Sequence, residues 1–189
     1  MNISKKEYML FNLSYIKKDL KHFKKYAYLA SQRFNCIFGD QSPTNYYRYY
    51  NLITLLMGST KYYKMFKDLF KIIRKYSKTK KPLWFQCWLN LHKENELLPW
   101  HNHYDCLYHG YISIDPKATE TIFSKYTIKN KIGNVYIGPG RSYHKVVNKK
   151  PYNDHRLTIG FDVVDEKTIK QIYKKYGEVD INPSFIPIY

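Results

Sequence analysis

Long apolar runs are missing from this chain, and so are paired cysteines and a normal share of arginine. No stretch approaches the roughly 18 consecutive apolar residues that a membrane-spanning helix needs. Met1-Asn2-Ile3-Ser4-Lys5-Lys6 leads into mixed polar sequence, not into a signal-peptide core. The expectation is a protein that stays in the cytoplasm where it is made, not secreted and with no membrane partner. The three cysteines, Cys36, Cys87 and Cys106, are an odd number without metal-knuckle spacing. They read as reduced, buried thiols and exclude a disulfide framework. No internal repeat or low-complexity linker interrupts the 189 residues, a length that suits one domain with a helical extension.

Arginine is scarce against lysine: Arg33, Arg48, Arg74, Arg141 and Arg156 are the only five among 32 basic residues. The formal net charge of +17 predicts some affinity for polyanions or nucleic acid, because clustered cations release counterions from phosphate. Base readout and phosphate clamping favour arginine, so its scarcity argues against a sequence-specific DNA binder. The chain is also heavy in Lys, Tyr, Asn and Ile, the composition an AT-rich coding sequence produces whatever the protein does. Net charge alone therefore assigns no function.

What is present divides into two halves. Residues 1–80 read as a helical region packing on the core. From Lys17 to Ala30, Leu20, Phe23, Tyr26 and Leu29 recur three apart and predict one apolar stripe. Gly39-Asp40-Gln41-Ser42-Pro43 marks a turn, a helix is expected from Asn45 with Tyr46 to Met57 continuing it, and Gly58-Ser59-Thr60 interrupts. A second helix is expected over 61–76, with Tyr62, Met65, Phe66, Leu69, Phe70, Ile73 and Tyr76 on one face and a solvated basic face opposite. After Pro82 the character changes to short strands with Gly/Pro corners, expected at 83–91, 97–105, 107–114, 120–128, 133–137, 143–148 and 156–163. Residues 81–164 thus form a sandwich or jelly-roll core, and 165–189 a closing helix and tail, giving an α+β chain.

The chemistry concentrates in the second half. In His101-Asn102-His103 the two imidazoles share one side of an extended strand. His144 follows about 40 residues on, then Arg156-Leu157-Thr158. Imidazole suits Fe, Zn, Cu and Ni alike. Asp105 falls on the same face, so His103-Tyr104-Asp105 also offers the His-x-Asp half of a two-His-one-carboxylate triad, with Asp105 as the alternative to His101. His22, His92, His109 and His155 read as ordinary surface or core histidines.

Four segments carry a family resemblance: Cys87-Trp88-Leu89-Asn90; His101-Asn102-His103 with Gly110-Tyr111-Ile112; Gly133-Asn134-Val135-Tyr136-Ile137-Gly138-Pro139-Gly140 before His144; and Arg156-Leu157-Thr158-Ile159-Gly160-Phe161-Asp162-Val163. Over residues 83–164 the chain resembles the 2-oxoglutarate- and Fe(II)-dependent oxygenases of the double-stranded β-helix class, especially a group common in phages and marine bacteria. Thr158 stands where that group's last strand has Ser. The resemblance implies a double-stranded β-helix (jelly-roll, cupin-like) core and a dioxygenase that hydroxylates a protein side chain, nucleobase or small molecule. It implies Fe(II) on His101, His103 and His144. It also implies 2-oxoglutarate held by Arg156, Thr158 and Asn90, with O₂ and an unidentified primary substrate as partners. Trp100, Tyr111, Tyr136 and Tyr143 are pocket candidates, and Trp84 and Trp88 further wall candidates. The third segment also resembles the second cupin motif. A cupin dioxygenase using no 2-oxo acid, and a non-catalytic basic jelly-roll binding module, are the alternatives.

Overall fold

A computed structural model of the chain describes residues 7–38, 51–96, 98–176 and 185–189. In chain order the elements are β1 (Met9–Asn12), α1 (Tyr15–Lys18), α2 (Leu20–Phe38), α3 (Ile53–Leu56), α4 (Thr60–Ser77), β2 (Leu83–His92), β3 (Tyr108–Asp115), β4 (Thr119–Phe123), β5 (Thr127–Lys129), β6 (Asn134–Pro139), β7 (His144–Asn148), β8 (Arg156–Asp165), α5 (Glu166–Tyr176) and β9 (Ile186–Ile188). The strands form a six-stranded sheet of order β1-β6-β3-β8-β2-β9 and a three-stranded sheet of order β5-β4-β7, with every pairing antiparallel. This is a double-stranded β-helix with helices added, an α+β fold.

The large sheet has two unlike faces because its side chains alternate. On one face Leu83, Phe85, Cys87, Leu89 and Leu91 of β2 pack beside Leu157, Ile159, Phe161 and Val163 of β8, and Ile112, Val135 and Ile137 join them. Helices α2, α3 and α4 cover this face with Phe23, Ala27, Leu52, Tyr62, Phe66, Leu69 and Ile73. The other face carries Gln86, Trp88, Asn90 and His92 of β2, His109, Tyr111 and Ser113 of β3, and Arg156, Thr158 and Asp162 of β8, all buried.

Helix α4 forms where the 3.6-residue period is cleanest. Ser59 caps it by accepting from the Tyr62 amide, and Lys78 ends it in the left-handed region with φ 55°. Several local expectations change. The buried stripe of α2 is Phe23, Ala27, Ala30 and Phe34, while Leu29 is exposed, because an exact three-residue spacing drifts off a 3.6-residue face. The region expected to be helical over 1–80 contains β1, which pairs with β6 in the large sheet. Of the strand expected at 97–105, the described part reduces to a single bridge, His101 with His144. The strand expected at 120–128 is two, β4 and β5, turned at Ser124-Lys125-Tyr126. The tail supplies β9, a partner for β2. The turn at 39–43, the helix start at Asn45 and the Asn182-Pro183 tail lie outside the described residues, and of Tyr46–Met57 the described helical part is α3.

Candidate metal centre

Strand β8 sets out the polar face in rows. Asp162 sits between Gln86 of β2 and His109 of β3. Two residues back, Gly160 lies between Trp88 and Tyr111; then Thr158 between Asn90 and Ser113; then Arg156 opposite His92. Gly160 is required there, since a Cβ would lie 2.6 Å from the Trp88 indole that crosses it. His101 and His144 exchange both backbone hydrogen bonds at 2.9 Å, and the His103 amide donates to the Gly140 carbonyl at 2.9 Å. A segment that is not a regular strand is thereby pinned to the start of β7.

One ligand atom from each of His101, His103 and His144 lies within 4.8 Å of the others. Their tautomers follow from their partners. His101 Nδ1 donates to the Pro99 carbonyl at 2.8 Å and His144 Nδ1 to the Ser142 carbonyl at 3.0 Å. A carbonyl only accepts, so both rings carry their proton on Nδ1 and keep the Nε2 lone pair. His103 Nδ1 donates to Asp162 Oδ2 at 3.0 Å, and its Nε2 is buried with no partner. An orphaned imidazole nitrogen beside two others is what a metal ion would satisfy. Burial pulls His144 down to about 2, with His109 and His101 adding to it, and it lowers His101 as well. His101 and His144 are neutral, as ligands must be.

Asp105 is exposed in a turn and stands outside this group of three, because the chain leaves the extended conformation after His103. The carboxylate at the centre is Asp162. Burial opposes its charge, but His103 and His109 hold it well below the usual carboxylate range. His109, expected to be an ordinary histidine, donates Nδ1 to Asp162 Oδ1 at 3.0 Å and stacks on His103 with ring centroids 3.6 Å apart. Burial is the main cause that lowers it to about 4.

Farther along the same face Arg156 is 4% exposed. Its Nη2 donates to His92 Nδ1 at 2.9 Å, and no carboxylate among the described residues pairs with it. Burial lowers it to about 10, so it stays charged at neutral pH, and burial with the Arg156 charge pushes His92 down to about 3. Asn90 Nδ2 donates to Thr158 Oγ1 at 3.3 Å, leaving the Thr158 proton for another acceptor; Asn90 Oδ1 and Ser113 Oγ are buried without partners. A buried, unpaired cation beside unspent hydroxyls suits a carboxylate.

The pocket candidates separate into two pairs. Tyr111 and Tyr136 are buried and stacked at 5.2 Å, with the Tyr111 hydroxyl on Asn130 and the Tyr136 hydroxyl on Tyr126. Phe123 connects Tyr136 to the His144 ring at 4.8 and 5.2 Å. Trp100 and Tyr143 are 42% and 49% exposed and stack on each other, with Lys145 over Trp100. Trp88 stacks against both His103 and His109; Trp84 lies half-buried on β2. Sequence reasoning missed His109, Asp162 and His92. Two-residue alternation puts 109, 111 and 113 on one face of β3 and 158, 160 and 162 on one face of β8, but only the strand register makes those faces the same.

No helix among the described residues is long and apolar enough to cross a membrane. No family model and no curated protein matches the chain. Solved structures do. One is the non-heme alpha-ketoglutarate-dependent carbocyclase SnoK from nogalamycin biosynthesis, at TM-score 0.58 and 8% identity over 84% of this chain and 79% of that one. Another is a 2OG-Fe(II) oxygenase family oxidoreductase from Burkholderia pseudomallei, at TM-score 0.44 and 13% identity over 59% of this chain and 56% of that one. A cupin-2 domain protein from Shewanella frigidimarina matches at TM-score 0.31 and 20% identity over 47% of this chain and 89% of that one. The first of these likenesses shows a shared fold, the double-stranded β-helix.

Proposed function

We propose that the chain is a non-haem Fe(II)- and 2-oxoglutarate-dependent oxygenase. His101, His103 and His144 hold the metal without a carboxylate ligand, and Arg156 and Thr158 hold the distal carboxylate of the co-substrate, with Asn90 fixing the Thr158 hydroxyl. The observation that carries the reading is the set of three imidazoles whose Nδ1 protons are committed to Pro99, Ser142 and Asp162, so that all three Nε2 lone pairs remain for one ion. Bound Fe(II) and 2-oxoglutarate would supply the activation of O₂ and the insertion of oxygen into a substrate C–H bond, with succinate and CO₂ released. The protein's share is binding and shielding. Arg156 meets two carboxylate oxygens with a planar, permanently charged fork. Trp88 stacks on His103 and His109, Phe123 on His144 and Tyr111 on Tyr136, and these rings would shield the metal centre from water. The phenols of Tyr111 and Tyr136, raised above their usual range by burial, stay neutral, and their hydroxyls are held by Asn130 and Tyr126.

The test is turnover without a primary substrate. Supplied with Fe(II), 2-oxoglutarate and ascorbate, the two-electron reductant that takes the place of the missing substrate, wild-type protein is expected to consume O₂ and release succinate in equal amounts. His144→Ala should abolish this, and Arg156→Ala should raise the 2-oxoglutarate concentration needed by about 10- to 100-fold, the worth of a charged hydrogen-bonded pair. O₂ uptake without succinate would move the assignment to a cupin-type dioxygenase. No metal binding would leave a basic binding module.

A further inference from the structure

Two buried groups at the centre are left without a task by that reading, His109 and Asp162. Both oxygens of Asp162 are used: Oδ2 accepts from His103 Nδ1 and Oδ1 from His109 Nδ1, each at 3.0 Å. The two rings lie nearly parallel, 10° apart, at 3.6 Å. Trp88 stacks on the pair, 5.6 Å from His103 and 6.1 Å from His109.

His109 is too close to His103 to share its ion. A metal–nitrogen distance of about 2.1 Å puts an imidazole centroid about 3.2 Å from the metal, so ligands about 90° apart have centroids about 4.5 Å apart. His101–His103 at 5.5 Å, His103–His144 at 5.7 Å and His101–His144 at 4.3 Å meet or approach that spacing. His103–His109 at 3.6 Å falls well short of it.

We infer that Asp162 and His109 form a positioning clamp for His103. The carboxylate fixes the Nδ1–H tautomer of His103. His109 occupies the carboxylate's other oxygen and stacks on the ring, so that neither Asp162 nor His103 can rotate. This rests on the metal reading above but concerns residues that do not touch the ion. The acceptor must be a carboxylate. An Asn at 162 has one accepting oxygen and one donating amide, so one of the two imidazoles has to move its proton to Nε2 in order to accept.

The experiment pairs long-range ¹H–¹⁵N NMR of the metal-free protein, which reads each histidine's tautomer, with Co(II) titration followed by its visible absorption. Wild type is expected to show both His103 and His109 protonated on Nδ1 and to bind Co(II). Asp162→Asn should show one of the two rings protonated on Nε2 and bind Co(II) about 10- to 100-fold more weakly, the usual loss when a ligand's own partner is altered. His109→Leu should keep the shape of the Co(II) spectrum, because the ligand set is intact, and weaken binding by less. In Asp162→Asn/His109→Leu the amide can turn its oxygen wholly to His103, and part of the lost affinity should return. That rescue is one a merely structural role would not produce. Asp162→Asn with wild-type affinity and both rings still protonated on Nδ1 would overturn the clamp. So would an altered Co(II) spectrum in His109→Leu, which would make His109 a ligand. If wild type binds no Co(II), the metal reading fails by itself, and the tautomer spectra alone decide the clamp.

Discussion

The two faces of the large sheet come from the same strands, offset by one residue, and they are built for opposite purposes. Along β8, Leu157, Ile159, Phe161 and Val163 go into an apolar core under the helices; Arg156, Thr158 and Asp162 are buried on the opposite face, with Arg156 against His92 and Asp162 against His103 and His109. The apolar face gains from burial, at about 25 cal/mol per Å². The polar face loses by it, because among the described residues it holds a guanidinium with no acid partner and, with His103 beside it, polar atoms that have no hydrogen bond, His103 Nε2, Asn90 Oδ1 and Ser113 Oγ. On the function proposed above, that lost stability is the cost of a face that binds ligands.

Acid should break that contrast most. The folded pKa values of His92, His109 and His144 are lowered to about 3, 4 and 2, while the unfolded chain titrates near 6.5. Between those limits the unfolded state binds more protons, so stability is full above about pH 6.5 and falls as pH drops toward 4. At pH 5 the loss is at most about 2 kcal/mol for each of the three. Denaturant melts of metal-free protein at pH 7, 6 and 5 check this, and a flat profile would contradict it. The apolar face comes next: Phe161→Ala should cost about 3–5 kcal/mol, whereas Thr158→Ala, on the opposite face of the same strand, should cost no more than about 1.5 kcal/mol. Equal losses in thermal melts would erase the distinction. Arg156→Met sharpens it further. Removing a buried charge that no carboxylate among the described residues pairs, for an apolar side chain of similar length, is expected to leave stability unchanged or raise it by up to about 4 kcal/mol while 2-oxoglutarate binding weakens by about 10- to 100-fold. A clear drop in melting temperature would mean that the cation serves the fold.

Strands β2, β3, β6, β7 and β8 were legible because alternation and Gly/Pro corners are local signals, whereas the break between β4 and β5 and the pairing of β9 were not. His101, His103, His144, Arg156, Thr158 and Asn90 were singled out by spacing and by resemblance, and the structure puts all six on or against one interior face. His109 and Asp162 were not legible as partners. They are 53 residues apart, and only the β3–β8 register sets them side by side. Asp105 misled for the complementary reason: period-two alternation holds only while the chain stays extended, and it turns at Tyr104-Asp105. β1 was lost because four residues of alternating burial lie next to a long helical segment that dominates any window drawn over them.

The account stands most directly on an anaerobic titration of the protein with Fe(II) and 2-oxoglutarate, watched for the weak visible charge-transfer band of the chelate near about 500 nm, as expected for an oxo acid at an open iron site. The prediction is a band in wild type that saturates at one equivalent, is lost in His144→Ala and is weakened in Arg156→Ala. Iron binding with no band on adding 2-oxoglutarate, in wild type as in Arg156→Ala, would contradict it.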